Sequence, residues 1–211
     1  MNDIKRYSPV QFSKAAPAKT ESRDNYDVVM EYAKEGSGPW IVDLSHRMRL
    51  DVQSADLGSK KPFDIDIPEV PCQSVLSNGV LVNRMNGTQA SVYHLAGDDA
   101  VMPKEIEYTD VSENTVFVAI FGKSVFQILE KLSNLDFTDP ERKAPFLFQG
   151  PFSHVPCQIV TVCKDGDKSG VVLTCSRGYG RDIIHAIEHA GEEFGLRPAG
   201  EARFTEWMAG L

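Results

Sequence analysis

The residues best placed to do chemistry are few. His46 lies in the segment Asp43-Leu44-Ser45-His46 between two strand-like runs, where an aspartate and a serine within three residues can orient an imidazole as a general base. The plain alternative is that the same hydrogen bonds stabilise a turn, and no nucleophile or second base accompanies the histidine. His185 and His189 stand four apart, the spacing of a two-histidine metal face. On a helical wheel they fall with Glu192 opposite Ile187 and Phe194, which makes a solvated face. No metal is expected. The glycines of SRGYGRD sit between a strand and a helix start, where free N–H groups favour anions. The third glycine of a phosphate cradle is missing, so an ordinary strand-to-helix turn competes with an anion or partner contact. The acid pairs Asp64/Asp66 and Asp98/Asp99 lie in loops, with nothing to tune one carboxyl against the other. Dinucleotide, P-loop, nucleophile-elbow and H-E-x-x-H motifs are all absent.

Four cysteines, Cys72, Cys157, Cys163 and Cys175, show no C-x-x-C spacing and lie in or beside β-branched runs. Cys157 and Cys163 would share a strand face at a separation too long for a disulfide. Reduced core cysteines in a reducing compartment are expected. The 211 residues carry 22 Lys+Arg against 30 Asp+Glu, a net charge of −8, with no basic cluster. Nucleic acid and anionic membranes, which need clustered cations to displace counterions, are excluded as expected partners. No apolar leader opens the chain and no window approaches a membrane span, so a cytoplasmic location is expected.

The elements that must position these residues follow from the hydrophobic period. Residues 1–23 are polar and proline-interrupted and read as an extended arm, with Tyr7, Val10 and Phe12 available to dock on the parent domain or on a partner subunit. Asp24 reads as the cap of a short helix over 24–35, stopped by Gly36. WIVDLS and RMRLDVQ read as half-buried strands, the second with Met48, Leu50 and Val52 inward and Arg47, Arg49 and Asp51 outward. An excursion without period fills 58–71. SVLSNGVLVNRM and TQASVYHLA read as two strands joined at Asn86-Gly87. After EIEYTDV and TVFVAIFG the period changes to 3.6, giving a helix from Ser124 to Leu132. Strands PFLFQG, CQIVTVC and SGVVLTC follow, the last two a hairpin, and then a helix over 178–194 stopped at Gly195. The order βαββα predicts an α+β fold, a mainly antiparallel sheet with helices on one face, with 24–211 as one continuous domain.

Several segments in order resemble a known family. GPWIVDLSHRMRLDVQSAD, LSNGVLVNRMNGTQASVYHLAG, DVSENTVFVAIFGKSVFQILEKL and HAGEEFGLRPAGEARFTEWMAGL resemble successive parts of the aminomethyltransferase (glycine-cleavage T-protein-like) folate-binding domain, from about Pro39 onward. The arm around Tyr7-Ser8-Pro9-Val10 and the stretch LTCSRGYGRDIIHAIEHAGEEFG are similar to the gamma subunits of heterotetrameric sarcosine oxidase and its relatives. Where the catalytic family places an acid after the Asn-x-Gly turn, this chain has Val82-Asn83-Arg84. Where it places a pterin-binding Glu, this chain has Thr174-Cys175-Ser176-Arg177-Gly178-Tyr179. The resemblance therefore implies a structural subunit without its own active site, in a flavin-dependent N-methyl amine oxidase or dehydrogenase. FAD, FMN, NAD and tetrahydrofolate would be carried by larger flavoprotein and folate-domain subunits, and none by this chain. The alternative it implies is a free-standing tetrahydrofolate-dependent aminomethyl or methyl transferase, with a relocated site around Asn83, Arg84, His46 and Tyr179.

Overall fold

A computed structural model describes residues 4–13, 15–97 and 100–211. The chain begins with a hairpin of β1 (Pro17–Arg23) and β2 (Tyr26–Tyr32). Next come β3 (Trp40–Asp43), β4 (Arg49–Gln53), β5 (Ser74–Ser77), β6 (Val80–Arg84), β7 (Gln89–His94) and β8 (Tyr108–Asp110). The second half runs β9 (Thr115–Phe121), α1 (Val125–Glu130), β10 (Phe146–Phe152), β11 (Val155–Cys163), β12 (Gly170–Ser176), α2 (Gly180–Gly191), β13 (Arg197–Ala199) and α3 (Glu201–Ala209).

Two sheets stack. One has the order β10-β11-β12-β9-β3-β13, antiparallel except for the short parallel pair of β13 with β3; the other has the order β5-β6-β7-β4-β8. Three apolar layers follow from the alternation along the strands. Val118, Ile120, Ile159, Val171 and Leu173 point to one face of the first sheet, where α1 and α2 cover them with Ile128, Leu129, Ile183, Ile184 and Ile187. Each such buried aliphatic contributes roughly 1.5–3 kcal/mol of transfer free energy. Phe117, Ala119, Phe121, Val160 and Val172 point to the other face and meet Leu81, Tyr93 and Leu95 of the second sheet, with Phe204 of α3. The outer face of the second sheet packs Leu50, Val52, Val80, Val82 and Val92 against Leu57, Ile65 and Ile67. Ile65 and Ile67 come from the proline-rich excursion and Leu57 immediately precedes it, so this stretch acts as the cover of a sheet.

The α+β class agrees with the sequence reading, but the second half runs βαβββα rather than βαββα, because Phe146–Phe152 adds a strand to the same sheet; α1 and α2 share one sheet face, while α3 lies on the opposite face instead of joining them. Four local expectations are corrected. The helix expected over 24–35 is β2, because Tyr26 and Val28 alternate inward with period two. Asp24 is no N-cap: Asp24 and Asn25, with φ of 46° and 63°, form the two-residue corner of the β1–β2 hairpin, whose twist favours left-handed backbone. Strand β1 thus lies inside the segment read as an arm. SVLSNGVLVNRM is two strands, folded at Asn78 and Gly79 with φ of 51° and 73°. Finally, Arg47 and Arg49 do not face solvent; they are 6% and 0% exposed, because the face read as outward lies against the first sheet.

The arm docks on the parent domain. Val10 is buried in the layer under α2, and Phe12 meets Tyr32 edge-on at 6.0 Å. The contact at Pro9 requires glycine at the start of α2, since a Cβ on Gly180 would lie 2.5 Å from the Pro9 carbonyl oxygen. An alanine in a helix normally gains up to about 1 kcal/mol over glycine. Gly180→Ala is expected instead to release the arm, raising tryptic cleavage at Lys5 and Arg6 roughly tenfold while the helix persists. Unchanged proteolysis would show that the docking tolerates a methyl group.

Candidate functional site

The histidine that the sequence singles out does sit beside a cavity. Asp43 accepts the Ser45 amide at 2.9 Å and Leu44 accepts the Arg47 amide at 2.8 Å, which folds residues 43–47 into a tight turn after β3. That turn presents His46 and Arg47 to Glu201, the first residue of α3. Glu201 Oε1 receives His46 Nε2 at 3.0 Å and the Arg47 guanidinium, and Oε2 receives the Arg23 guanidinium from the end of β1. Arg47 also donates to the carbonyls of Leu95, at 2.8 Å, and Ala96. Glu201 is 1% exposed. A cavity of about 510 Å³ opens beside it, walled by Arg6, Arg23, His46, Arg47, His94 and Ser112 among others.

The electrostatics decide what this group can do. Burial, the largest single influence, would raise the Glu201 pKa, but the His46 hydrogen bond and the charges of Arg47, His46 and Arg23 together outweigh it and hold the pKa at about 2. A carboxylate held so low and committed to three donors is a poor base near neutrality. It is instead a tie, joining β1, the 43–47 turn and α3. Glu113 makes a second tie, accepting from Tyr26 OH at 2.7 Å, Arg6 Nε at 2.8 Å and Arg177 Nη1 at 3.5 Å. Arg177 also donates to the Tyr7 carbonyl.

The other candidate residues are dispersed. Asn83 is fully buried between the two sheets, where its Nδ2 donates to Ser91 Oγ at 3.3 Å, while its Oδ1 has no hydrogen-bond partner. Ser91 Oγ–H reaches the Tyr93 hydroxyl, which donates to Gln158. Arg84 closes the β6–β7 hairpin, donating Nε to Asn86 O at 2.6 Å and Nη2 to Gly87 O at 2.8 Å. Tyr179 is 45% exposed just before α2, and Tyr7 is 65% exposed on the arm. Of the four residues Asn83, Arg84, His46 and Tyr179, His46 lines the cavity beside Glu201, and neither that cavity nor the one between α2 and the arm is lined by Asn83, Arg84 or Tyr179. His185 and His189 are exposed and line a separate cavity of about 470 Å³ between α2 and the arm. No three His, Cys, Asp or Glu residues among those described are grouped to hold a metal ion. Asp98 and Asp99 lie outside the described residues.

Sequence reasoning missed Glu201, Arg47, Arg49 and Glu113. The one available signal was Gly200-Glu201 before a helix, where an acid in the first turn is favoured.

No family model matches the chain, and no curated protein does. Among solved structures, a chain of the heterotetrameric sarcosine oxidase from Corynebacterium sp. U-96, in complex with pyrrole 2-carboxylate, is similar with a TM-score of 0.61 at 12% identity. The match covers 76% of this chain and 88% of that one. The two chains share a fold. No helix among the described residues is long and apolar enough to cross a membrane.

Glu201 makes acid sensitivity specific. Its pKa is about 2 in the fold and 4.5 as an ordinary Glu. The unfolded chain therefore binds more protons between those values, and stability rises with pH there. The contribution, roughly 3 kcal/mol, is complete above pH 4.5 and is lost as pH falls toward 2. Glu201→Gln is expected to cost about 3–5 kcal/mol at pH 7, because Arg47 stays buried without its counter-charge. Urea midpoints measured between pH 5 and pH 2 should also fall less steeply in the variant. Parallel slopes would remove Glu201 from this role.

Proposed function

We propose that this chain is a structural, gamma-like subunit of a multi-subunit flavin-dependent N-methyl amine oxidase or dehydrogenase of the sarcosine oxidase kind. The observation that carries the reading is the backbone match to a chain of such a complex over most of both chains. Because the matched stretch is the larger share of the other chain, that chain is shorter than this one, which suits a small subunit rather than a flavoprotein. The geometry supports the same reading: the buried acid is spent on cations of its own chain, and the dispersed Asn83, Arg84, His46 and Tyr179 leave the transferase alternative without an assembled site. FAD, FMN, NAD and tetrahydrofolate would then be held by larger partner subunits, with the complex in the cytoplasm.

The docking surface would lie where the arm meets the start of α2. Arg177, two residues before Tyr179, holds the Tyr7 carbonyl, so the two exposed tyrosines share one side of the molecule. Exposed aromatics on an anchored segment are the residue type that dominates interface energies.

Co-expression with candidate flavoprotein partner chains tests the proposal. The chain is expected to co-elute with them as one species, and Tyr7→Asp/Tyr179→Asp to weaken retention by roughly thirtyfold, as loss of an interface anchor of about 2 kcal/mol does. Elution as a lone monomer, or micromolar tetrahydrofolate binding by the isolated chain that is lost in Asn83→Ala, would overturn it.

A further inference from the structure

All four cysteines carry free thiols; Cys72 and Cys163 are half-buried rather than core residues, whereas Cys157 and Cys175 are buried and face each other. Cys157 on β11 and Cys175 on β12 are direct partners in the antiparallel register. Both belong to the apolar layer on the helix-covered face, so their side chains project to the same side. Directly opposed residues on antiparallel strands have Cα atoms about 4.5 or 5.5 Å apart, according to their place in the ladder. Either value lies inside the window of about 4.4–6.8 Å that a disulfide requires. The other two cysteines have no such neighbour: Cys163 opposes Gly170, and Cys72 lies in the turn before β5.

The facing pair is shielded but not sealed. Each residue is 5% exposed, and each adjoins an exposed residue, Pro156 before Cys157 and Ser176 after Cys175. Cys175 Sγ donates to the Ser176 carbonyl at 3.7 Å, and the mutual influence of the facing thiols holds the Cys175 thiol down and pushes the Cys157 thiol up. One member of the pair is thereby favoured as the first nucleophile.

We propose that Cys157 and Cys175 form an oxidation site, at which a small peroxide converts the facing thiols into a cross-strand disulfide. The Cys175 sulfur attacks one oxygen of hydrogen peroxide, the O–O bond breaks, and water leaves a sulfenic acid on Cys175. The Cys157 sulfur then attacks the Cys175 sulfur; the S–S bond forms, the S–O bond breaks, and the hydroxide departs as a second water with the Cys157 proton. Two thiols lose two electrons and two protons, and one peroxide is reduced to two waters. The bond ties β11 to β12 one residue before the turn that leads into α2 and holds the arm.

The test uses the full chain in its folded state. After hydrogen peroxide treatment, quenching and unfolding under alkylation, two of the four thiols should be protected. The mass should fall by two hydrogens, and peptide mapping should join the Cys157 and Cys175 segments within one chain. Dithiothreitol should restore all four. Cys72→Ser/Cys163→Ser leaves the buried pair intact and should form the same bond, whereas Cys175→Ser should not. Four alkylatable thiols after treatment, a bond to Cys72 or Cys163, a link between chains, or conversion to sulfinic acid in place of the disulfide would each overturn the assignment.

Discussion

A fully buried arginine with no carboxylate hydrogen-bonded to it among the described residues sets the geometry of this molecule. Arg49, in the second sheet, donates Nη1 to Arg47 O at 2.6 Å and more weakly to Leu44 and Ser45 carbonyls, Nη2 to the carbonyls of Ser112 and Thr115, and Nε to Thr115 Oγ1 at 2.7 Å. Its guanidinium stands 5.0 Å over the Phe117 ring. Burial lowers its pKa to about 10, which still leaves it cationic at neutrality. Backbone dipoles, one aromatic face and the charges of Asp43 and Asp110 nearby compensate the cation, and they do so only while the ends of β3 and β9 hold their positions. The cation is thus a joint between the two sheets, and it is also a constraint on the 43–47 turn.

From that joint the remaining polar contacts follow in sequence. The turn that Arg49 holds aims Arg47 and His46 at Glu201, and Glu201 in turn holds Arg23 and the start of α3. Glu113 performs the matching task for the arm through Arg6, Tyr26 and Arg177. Each acid in these clusters, the buried Glu201 and the exposed Glu113, is met by cations from distant parts of the same chain. The polar interior of the fold is spent on holding elements together, and this concentrates the available chemistry at the surface and at the cysteine pair.

Much of the fold was legible where the signal was local. Asn86-Gly87 placed the β6–β7 hairpin, the change of period after Gly122 placed α1, and Ile183, Ile187 and Ala190 placed the buried face of α2. The errors have physical causes. DNYDVV offers a helix cap and a corner of a hairpin equally well, and only pairing with β1 selects the corner. Alternation in RMRLDVQ reveals two faces but does not say that both are covered. The polar clusters were invisible because Arg23 and Glu201 are 178 residues apart, a separation at which no spacing rule operates.

The parallel pairing of β13 with β3 carries a consequence for assembly of the fold itself. Residues 40–42 remain an open sheet edge until 197–199 arrive, and the Glu201 carboxylate joins Arg23, His46 and Arg47 at the same stage. During synthesis the early strands therefore wait, with an unpaired edge and buried-type cations still exposed, for nearly the whole chain to emerge. Closure between such distant segments is slow, because loop entropy is spent before any contact rewards it. The interval in which the nascent chain exposes that edge ends only when β13 is seated.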